Sequence, residues 1–496
     1  MNVVFLLCDT LTREKLSPYH RGEGPYAHIR TPNLDRLAER STTFTNHWIN
    51  SAPCMPARRD LCSGRIEFPW RSWGPRESFD PDWARTLREH TNVSTCFVTD
   101  HANMFDVGSG NYHQWFDEWH FTRGHFNDHC AAGSPPQPGR AGQSKEIYRK
   151  ATEEMDTEEK SFVARNFDTA TRYLDDRAND QRPFFLYIDE FDPHWPLDPP
   201  EPYRSMYVED DALKAKGGPA FFKGNDASEY TEDELTWMQA QFAGKITMVD
   251  NQIGRLLDTM DRHDLWDDTL FILTTDHGEY LGEYGQVSKG GGPCYPLFSR
   301  IPLFVHLPGG ALNGQTSNAL TSTVDLHATI LEALNAPVSP HTHSQSILPV
   351  LRKETETVRT DVLFGWWGRG FYWTDGQHFL CKGPEQKGPL YQYGTDLGEK
   401  YVGLTSEYFD RYADAETGPF MPHTDRLVHR VPADGMAYGN PNGDHDQLFD
   451  LNADPTCKNN LFNKDESLRI TCLARLKSAM EAHEVPKEHY ERLGLS

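Results

Sequence analysis

Residues 3–8, VVFLLC, are apolar without a break and stop at Asp9. A short continuous run of this kind predicts a strand covered on both faces, as in a parallel sheet. Comparable runs occur at VSTCFVTD (93–100), PFFLYIDEFDPH (183–194), FILTTD (271–276) and IPLFVHLPG (301–309). Between them the period lengthens. Thr31 and Pro32 open a stretch, TPNLDRLAERSTTF, with Leu34, Leu37 and Ala38 at helical spacing, and helical patterning covers 232–261 and 324–335. Strands alternating with helices to about residue 350 predict an α/β fold: a large doubly wound mixed sheet flanked by helices.

Beyond residue 350 the pattern changes. DVLFGWW (361–367), GFYWTDGQHFLCKG (370–383) and HDQLFDLNADP (445–455) read as short strands joined by turn dipeptides such as Asp375-Gly376, and an amphipathic stretch, 466–483, closes the chain. The division expected is an α/β domain over 1–350 and a C-terminal α+β subdomain, a smaller antiparallel sheet plus helix, over 351–496. The polar, Gly- and Pro-interrupted stretches 123–160 and 205–235 predict surface insertions that shape a pocket.

Composition narrows the functional classes. A hydrophobic fraction of 37% with 25% charged residues describes a folded globular chain. A net charge of −24 argues against nucleic acid or an anionic membrane as partner, since both need a basic face, yet leaves room for an anionic substrate in a local cationic pocket. No apolar run is long enough to span a membrane. The start, MNVVFLLCDT, lacks the basic residues, long apolar core and cleavage site of a secretory leader, so a cytoplasmic protein is expected, or else a processed mature form. Nine cysteines without CxxC pairs make neither a disulfide framework nor a zinc ribbon. A homo-oligomer is compatible with the sequence, and no pattern fixes the oligomeric state.

Reactive chemistry concentrates in SAPCMPARRDLCSGR (51–65). Pro56 suits a first helical turn, where its missing N–H leaves nothing unpaired, so Cys54 is placed at a helix N-terminus with Arg58 one turn on. The helix dipole and the nearby cation predict a lowered thiol pKa and an anion site. In FILTTDHGEYLGEYGQVSKGG (271–291) a buried strand delivers Asp276 and His277, and Lys289 follows a Gly-rich loop. Carboxylate and imidazole suit a divalent cation, and lysine supplies a compact positive charge. Each segment also has a bland reading: a structural cysteine before a helix, an Asp-His-Gly turn, a loop histidine at His194.

Together these segments resemble the formylglycine-dependent sulfatase family of the alkaline phosphatase superfamily. Cys54-x-Pro56-x-Arg58 is similar to the family's maturation motif, 276–289 to its DHG…G…K segment, FDPHWP (191–196) to its DPHxP loop, and QLFDLNADPTCKNNL (447–461) to a structural C-terminal segment. The blocks run from residue 3 to about residue 461. The resemblance implies that 1–350 is the catalytic domain, with an alkaline-phosphatase/sulfatase-like fold. It implies that a separate maturation enzyme converts Cys54 to formylglycine, that Arg58 holds this nucleophile in place, and that Asp9, Asp276, His277 and the Cys54-derived group bind one divalent cation. Calcium is the family default and manganese the alternative. Lys289 would neutralise developing charge, and His194 would donate to a sulfate oxygen or to the leaving alkoxide. Two departures stand out. Thr10 replaces the family's second aspartate and becomes a neutral candidate ligand. In NVSTCFVTDHANMF (92–105) the family's lysine falls on Asp100, leaving His101 as a candidate substrate contact.

The implied function is hydrolysis of an aryl, alkyl or carbohydrate sulfate ester. Thr10 and the missing lysine lean towards the alternative, a phosphonate monoester or phosphodiester hydrolase of the same architecture. A non-catalytic anion-binding relative would lose one of Cys54, Arg58, Asp9, Asp276, His277 or Lys289, and all six are present.

Overall fold

The computed structural model describes residues 1–105, 110–126, 128, 140–177, 180, 182–289, 292–386, 388–396, 410–433 and 444–496. Cys130 and much of the 123–160 insertion lie outside the described residues. In chain order the strands that position the site are β1 (Asn2–Cys8), β2 (Thr42–Trp48), β3 (Ser51–Ala52), β4 (Ser94–Thr99), β5 (Glu118–Phe121), β6 (Phe184–Glu190), β7 (Thr269–Thr274), the hairpin β8 (Tyr280–Leu281) and β9 (Val287–Ser288), and β10 (Arg300–His306).

β1 lies centrally between β6 and β7, parallel to both, with β4 and then β5 continuing the parallel run beyond β6. β10 is antiparallel to β7 on one side and to β2 on the other, so the sheet is mixed and β2 points the same way as β7. The apolar run of β1 follows from this setting. Val4, Leu6 and Cys8 face one layer, with Leu34, Phe167 and the long helix Glu232–Arg262; Val3, Phe5 and Leu7 face the other, with Leu61, Leu87 and Ile330. Side chains alternate between faces with period two, and helices cover both faces, so every position is apolar. Burial of each such side chain contributes about 1.5–3 kcal/mol.

One expectation is corrected here. The helical reading of 31–44 holds only over Pro32–Arg40; from Thr42 the chain is strand β2, buried along nearly its whole length. Thr42 and Thr43 are β-branched and resist continued helix, while pairing with β10 satisfies the backbone.

The C-terminal strands form as read. β13 (Val362–Trp366), β14 (Phe371–Thr374), β15 (His378–Lys382) and β19 (Gln447–Asp450) make an antiparallel sheet, and the helix Glu466–Ala482 covers one face through Cys472, Leu476, Ala479 and Met480. The other face, with Phe364, Tyr372 and Phe379, packs on Trp48, Phe298 and Ile301 of the larger layer. Labels β11 (Thr316–Ser317) and β12 (Thr321–Ser322) denote short pieces on β2, and β16 (Tyr391–Gly394), β17 (Glu416–Gly418) and β18 (Val428–Pro432) a small separate sheet. β3 joins the C-terminal sheet by pairing parallel to β13, Gly365 opposite Ser51 and Trp366 opposite Ala52. The two residues just before the Cys54 segment are thereby held by the C-terminal part of the chain.

Candidate active site

The carboxyl ends of parallel strands are where open α/β sheets gather ligands, and here β1, β6 and β7 each deliver an aspartate. Asp9 follows β1, Asp189 lies at the end of β6, and Asp276 follows β7. The ends of β1 and β7 are laced together: the Thr10 N–H donates to Asp276 Oδ1 (3.0 Å), the Leu11 N–H to Thr275 Oγ1 (2.9 Å), and the Thr275 hydroxyl to the Cys8 carbonyl (2.5 Å).

Cys54 opens the helix Cys54–Ser63, every residue of which is buried. Asp60 accepts N–H bonds from Ser51 (2.9 Å) and Glu67 (3.1 Å), tying the chain before and after the helix to its middle. Gly64 ends the helix at φ 67°, and a Cβ there would lie 2.8 Å from the His327 ring, so the turn requires glycine.

Around the Cys54 Sγ stand Lys289 Nζ at 2.9 Å, His277 Nε2 at 3.5 Å and Asp9 Oδ1 at 3.9 Å. One ligand atom each from Asp9, Cys54, Asp276 and His277 fall within 4.8 Å of one another, and all four residues are buried. Lys289 arrives from the β8–β9 hairpin and also lies 3.9 Å from Asp9. The helix start does not lower the thiol pKa as its position predicts: burial and the Asp9 carboxylate push it up by more than Lys289 and Arg58 pull it down.

Arg58 is fully buried and meets three carboxylates. Its Nε and Nη2 form a fork on Asp189 (2.8 and 2.9 Å), while Nη1 reaches Asp276 Oδ2 (2.8 Å), Asp9 Oδ2 (3.1 Å) and the Cys54 carbonyl (3.1 Å). Expected to hold the nucleophile in place, Arg58 here reaches Cys54 at its backbone carbonyl. It holds the backbone of Cys54 and the acids around it. Asp189 was not singled out by any sequence pattern; its position at a strand end, like Asp9 and Asp276, was the available signal.

The charge states suit a cation. His277 donates from Nδ1 to the Gly278 carbonyl (2.8 Å), which leaves the Nε2 lone pair facing the cluster, and burial lowers its pKa to about 3. Asp276 stays ionised: burial opposes this, but His277, Arg58 and Lys289 together hold its carboxyl below the usual range. Burial and the neighbouring Asp276 push Asp9 up. Two carboxylates crowded on one site are the arrangement a divalent cation relieves, and among the described residues Asp9 Oδ2 lacks a hydrogen-bond partner although it lies near Arg58. The donor set of carboxylate oxygens and one neutral imidazole fits such an ion. Thr10 engages the cluster through its backbone; its residue sits at φ 62°, and its buried hydroxyl has no hydrogen-bond partner among the described residues.

His194 is buried close enough for Lys289, His101 and His277 to act on its charge, and burial followed by the Lys289 charge lowers its pKa well below normal. Its Nδ1 donates to the Trp195 carbonyl (2.6 Å), so the neutral ring offers Nε2 as an acceptor. The expected donation to a sulfate or alkoxide oxygen needs a second proton on this ring. His101 is buried against Phe191, with Asn103 on Nε2 (3.0 Å) and Asp189 3.6 Å from Nδ1, which places it beside the Arg58 fork. Asp100, standing where a lysine was expected, accepts from His125 (2.7 Å) and from the Phe191 N–H (2.8 Å) and so braces the loop carrying His194.

Residues 1–336 match the sulfatase family model. A multifunctional alkaline phosphatase superfamily protein, PehA, of Trinickia caryophylli is 27% identical over 71% of this chain and 77% of its own length. An arylsulfatase of Clostridium perfringens is 25% identical over 87% of this chain and 92% of its own. Among solved structures, a phosphonate monoester hydrolase from Silicibacter pomeroyi superposes with a TM-score of 0.63 at 18% identity, covering 97% of this chain and 94% of that one.

Proposed function

Since this chain belongs to the sulfatase family, we propose that it hydrolyses a sulfate ester at the Cys54 centre, using formylglycine made from Cys54 by a separate maturation enzyme and one bound divalent cation. The observation that carries the reading is the convergence of Cys54, Asp9, Asp276, His277 and Lys289 in one buried cluster. Asp9, Asp276 and His277, with the Cys54-derived group, would hold the ion, calcium in the first instance and manganese as the alternative. When bound, the cation supplies positive charge that acidifies an adjacent hydroxyl and draws charge from the ester oxygens. An aldehyde hydrate offers two hydroxyls on one carbon, one to attack the ester and one whose deprotonation later expels the acid; the raised thiol pKa of unmodified Cys54 fits this need for a different nucleophile.

The chain's own residues have distinct tasks. Arg58 fixes Asp9 and Asp276 relative to the helix start, so it is a positioning residue. Lys289, with three donors beside the Cys54 Sγ, neutralises charge developing on a non-bridging or leaving oxygen. His194 accepts a proton or hydrogen bond at Nε2. His101 contributes from the Asp189 side, and Thr10 through its backbone.

A second reading, a phosphonate monoester or phosphodiester hydrolase, is favoured by Thr10, which leaves one carboxylate fewer at the ion than the family pattern. Kinetics on an aryl sulfate, an aryl phosphonate monoester and a phosphodiester, with mass spectrometry of the Cys54 peptide from the same batch, decide between them. A dominant sulfate rate is expected, and Cys54→Ala is expected to lose turnover while keeping its fold. Faster phospho-ester turnover moves the chain to the second reading; more than trace activity in Cys54→Ala overturns both.

A further inference from the structure

Midway along the helix Glu232–Arg262, among apolar residues that face the core, stands Lys245, 3% exposed. A buried ammonium is destabilising unless its charge is paired and its three protons are accepted. All three go to residues 192–196. Nζ donates to the His194 carbonyl (2.6 Å) and the Pro196 carbonyl (2.9 Å) and pairs with Asp192 (2.5 Å). Asp192 is fixed in turn: its N–H donates to Glu190 Oε1 (3.0 Å), and its Oδ1 lies 3.6 Å from His125 Nε2.

The two carbonyls on Lys245 bracket the peptide that sets the state of the His194 ring. Nδ1 of that ring donates to the Trp195 carbonyl (2.6 Å), and Trp195 is the residue between the two that Lys245 holds. A carbonyl at Nδ1 keeps the proton of the neutral ring there and leaves Nε2 with a free lone pair. The charges of Lys289, His101 and His277 act on this ring, which stacks on Phe191 at 4.2 Å, and Phe191 packs on His101 at 4.5 Å. His194 thus belongs to the surroundings of the Cys54 centre, whereas Lys245 reaches them through the loop.

We propose that Lys245 is a positioning residue for His194: by holding the carbonyls on either side of Trp195 it fixes the peptide that selects the His194 tautomer, and so keeps Nε2 free as an acceptor. The catalytic consequence rests on the hydrolase reading; the tautomer does not. Without the ammonium, Asp192 and both carbonyls lose a donor and the Trp195 peptide can turn. The ring is then released to the Nε2-protonated form that an unconstrained imidazole favours.

The test uses the full chain as wild type, Lys245→Met, His194→Ala and the double variant, with the melting temperature and formylglycine content of each measured. Nitrogen-15 spectra of ring-labelled histidine read the tautomer, the His194 signal being identified by its loss in His194→Ala. Wild type is expected to carry the proton at Nδ1, and Lys245→Met to gain the Nε2-protonated form. On the better of an aryl sulfate and an aryl phosphonate monoester, Lys245→Met is expected to lose about tenfold in kcat with KM within about twofold. The double variant is expected to lose no more than about twofold beyond His194→Ala, since a residue acting through another adds little once that one is gone. Lys245→Met/Asp192→Asn, which strands no charge, carries the test if Lys245→Met does not fold. A wild-type His194 protonated at Nε2, a folded Lys245 variant that keeps the Nδ1 form alone, or losses that multiply in the double variant overturn the proposal. If wild type turns over neither ester the hydrolase reading falls, and the tautomer still decides the role of Lys245.

Discussion

Arg58→Met is the substitution that most directly tests how the centre is held together. Methionine keeps the stem and removes the guanidinium from among Asp9, Asp189 and Asp276, all fully buried. Asp276 would keep the N–H bonds of Thr10 and His277, but Asp189 would keep only the Tyr187 hydroxyl at 2.5 Å and His101 at 3.6 Å. Removing one partner of a buried ion pair strands the other charge and costs about 3–5 kcal/mol. Unfolding entropy of about 2.1 cal/mol/K per residue, taken over 496 residues, is about 1 kcal/mol/K, so the midpoint should fall by about 3–5 °C if the chain melts as one unit. Arg58→Met/Asp189→Asn removes the stranded charge together with its partner and is expected to recover at least half of that loss. Differential scanning calorimetry at fixed cation concentration reads both. A drop of less than about 1 °C in the single variant, or a double variant that melts no higher, refutes the account of Arg58 as the clamp on these acids.

Two other expectations follow from the same geometry and from the helix layer. Chelation followed by dialysis should lower the melting temperature by about 3 °C and remove activity, both restored by calcium or manganese, because an ion present at about a hundred times its Kd contributes about 2.7 kcal/mol; indifference of both readouts removes the cation. Asp250 accepts the N–H groups of Asn33 (3.0 Å) and Leu34 (2.8 Å) and so docks the start of the helix Pro32–Arg40 on the long helix, while burial raises its pKa to about 7. A carboxyl raised on folding stabilises fully below its unfolded value near 4 and loses that contribution as pH climbs to about 7. Asp250→Asn should therefore flatten the melting temperature between about pH 4 and 7, and an unchanged slope would rule out Asp250 as a source of it.

Much of this arrangement was legible in the sequence because of where the strands lie. β1, β6, β7 and β10 are buried on both faces, and that burial writes near-continuous apolar runs. β2 reads TTFTNHW, whose polar threonines and asparagine conceal a strand that only its pairing with β10 and the pieces after it defines. The site residues were found as letters but not as contacts. Arg58 meets Asp189 and Asp276 across 131 and 218 residues of chain, and no local spacing encodes those pairings. The thiol pKa went astray for the same reason. A helix N-terminus and a nearby arginine are local facts that favour a thiolate, whereas full burial and the Asp9 carboxylate are tertiary facts, and in a low-dielectric interior the latter dominate.

The placement of β3 changes what the C-terminal sheet is for. Ser51 and Ala52 are strand partners of Gly365 and Trp366, the Asn50 side chain donates to the Leu363 carbonyl (3.0 Å), and the Gly365 N–H donates to the Asn50 carbonyl (2.9 Å). Cys54 follows two residues later, so its position is set from one side by the helix it opens and from the other by β13. Gly292 and Cys294 are tied to the same sheet: Arg369, clamped on Asp444 at 2.7 and 3.0 Å, donates to the Gly292 carbonyl (2.7 Å), and the Trp366 indole N–H reaches Cys294 Sγ (2.9 Å). The Cys54 Sγ and Lys289 Nζ stand 2.9 Å apart, with the chain before Cys54 held by β13. Displacements of about 1 Å between reacting groups cost about a hundredfold in rate, so on the proposed reading the register of this small sheet bears on the rate through the backbone it holds before Cys54.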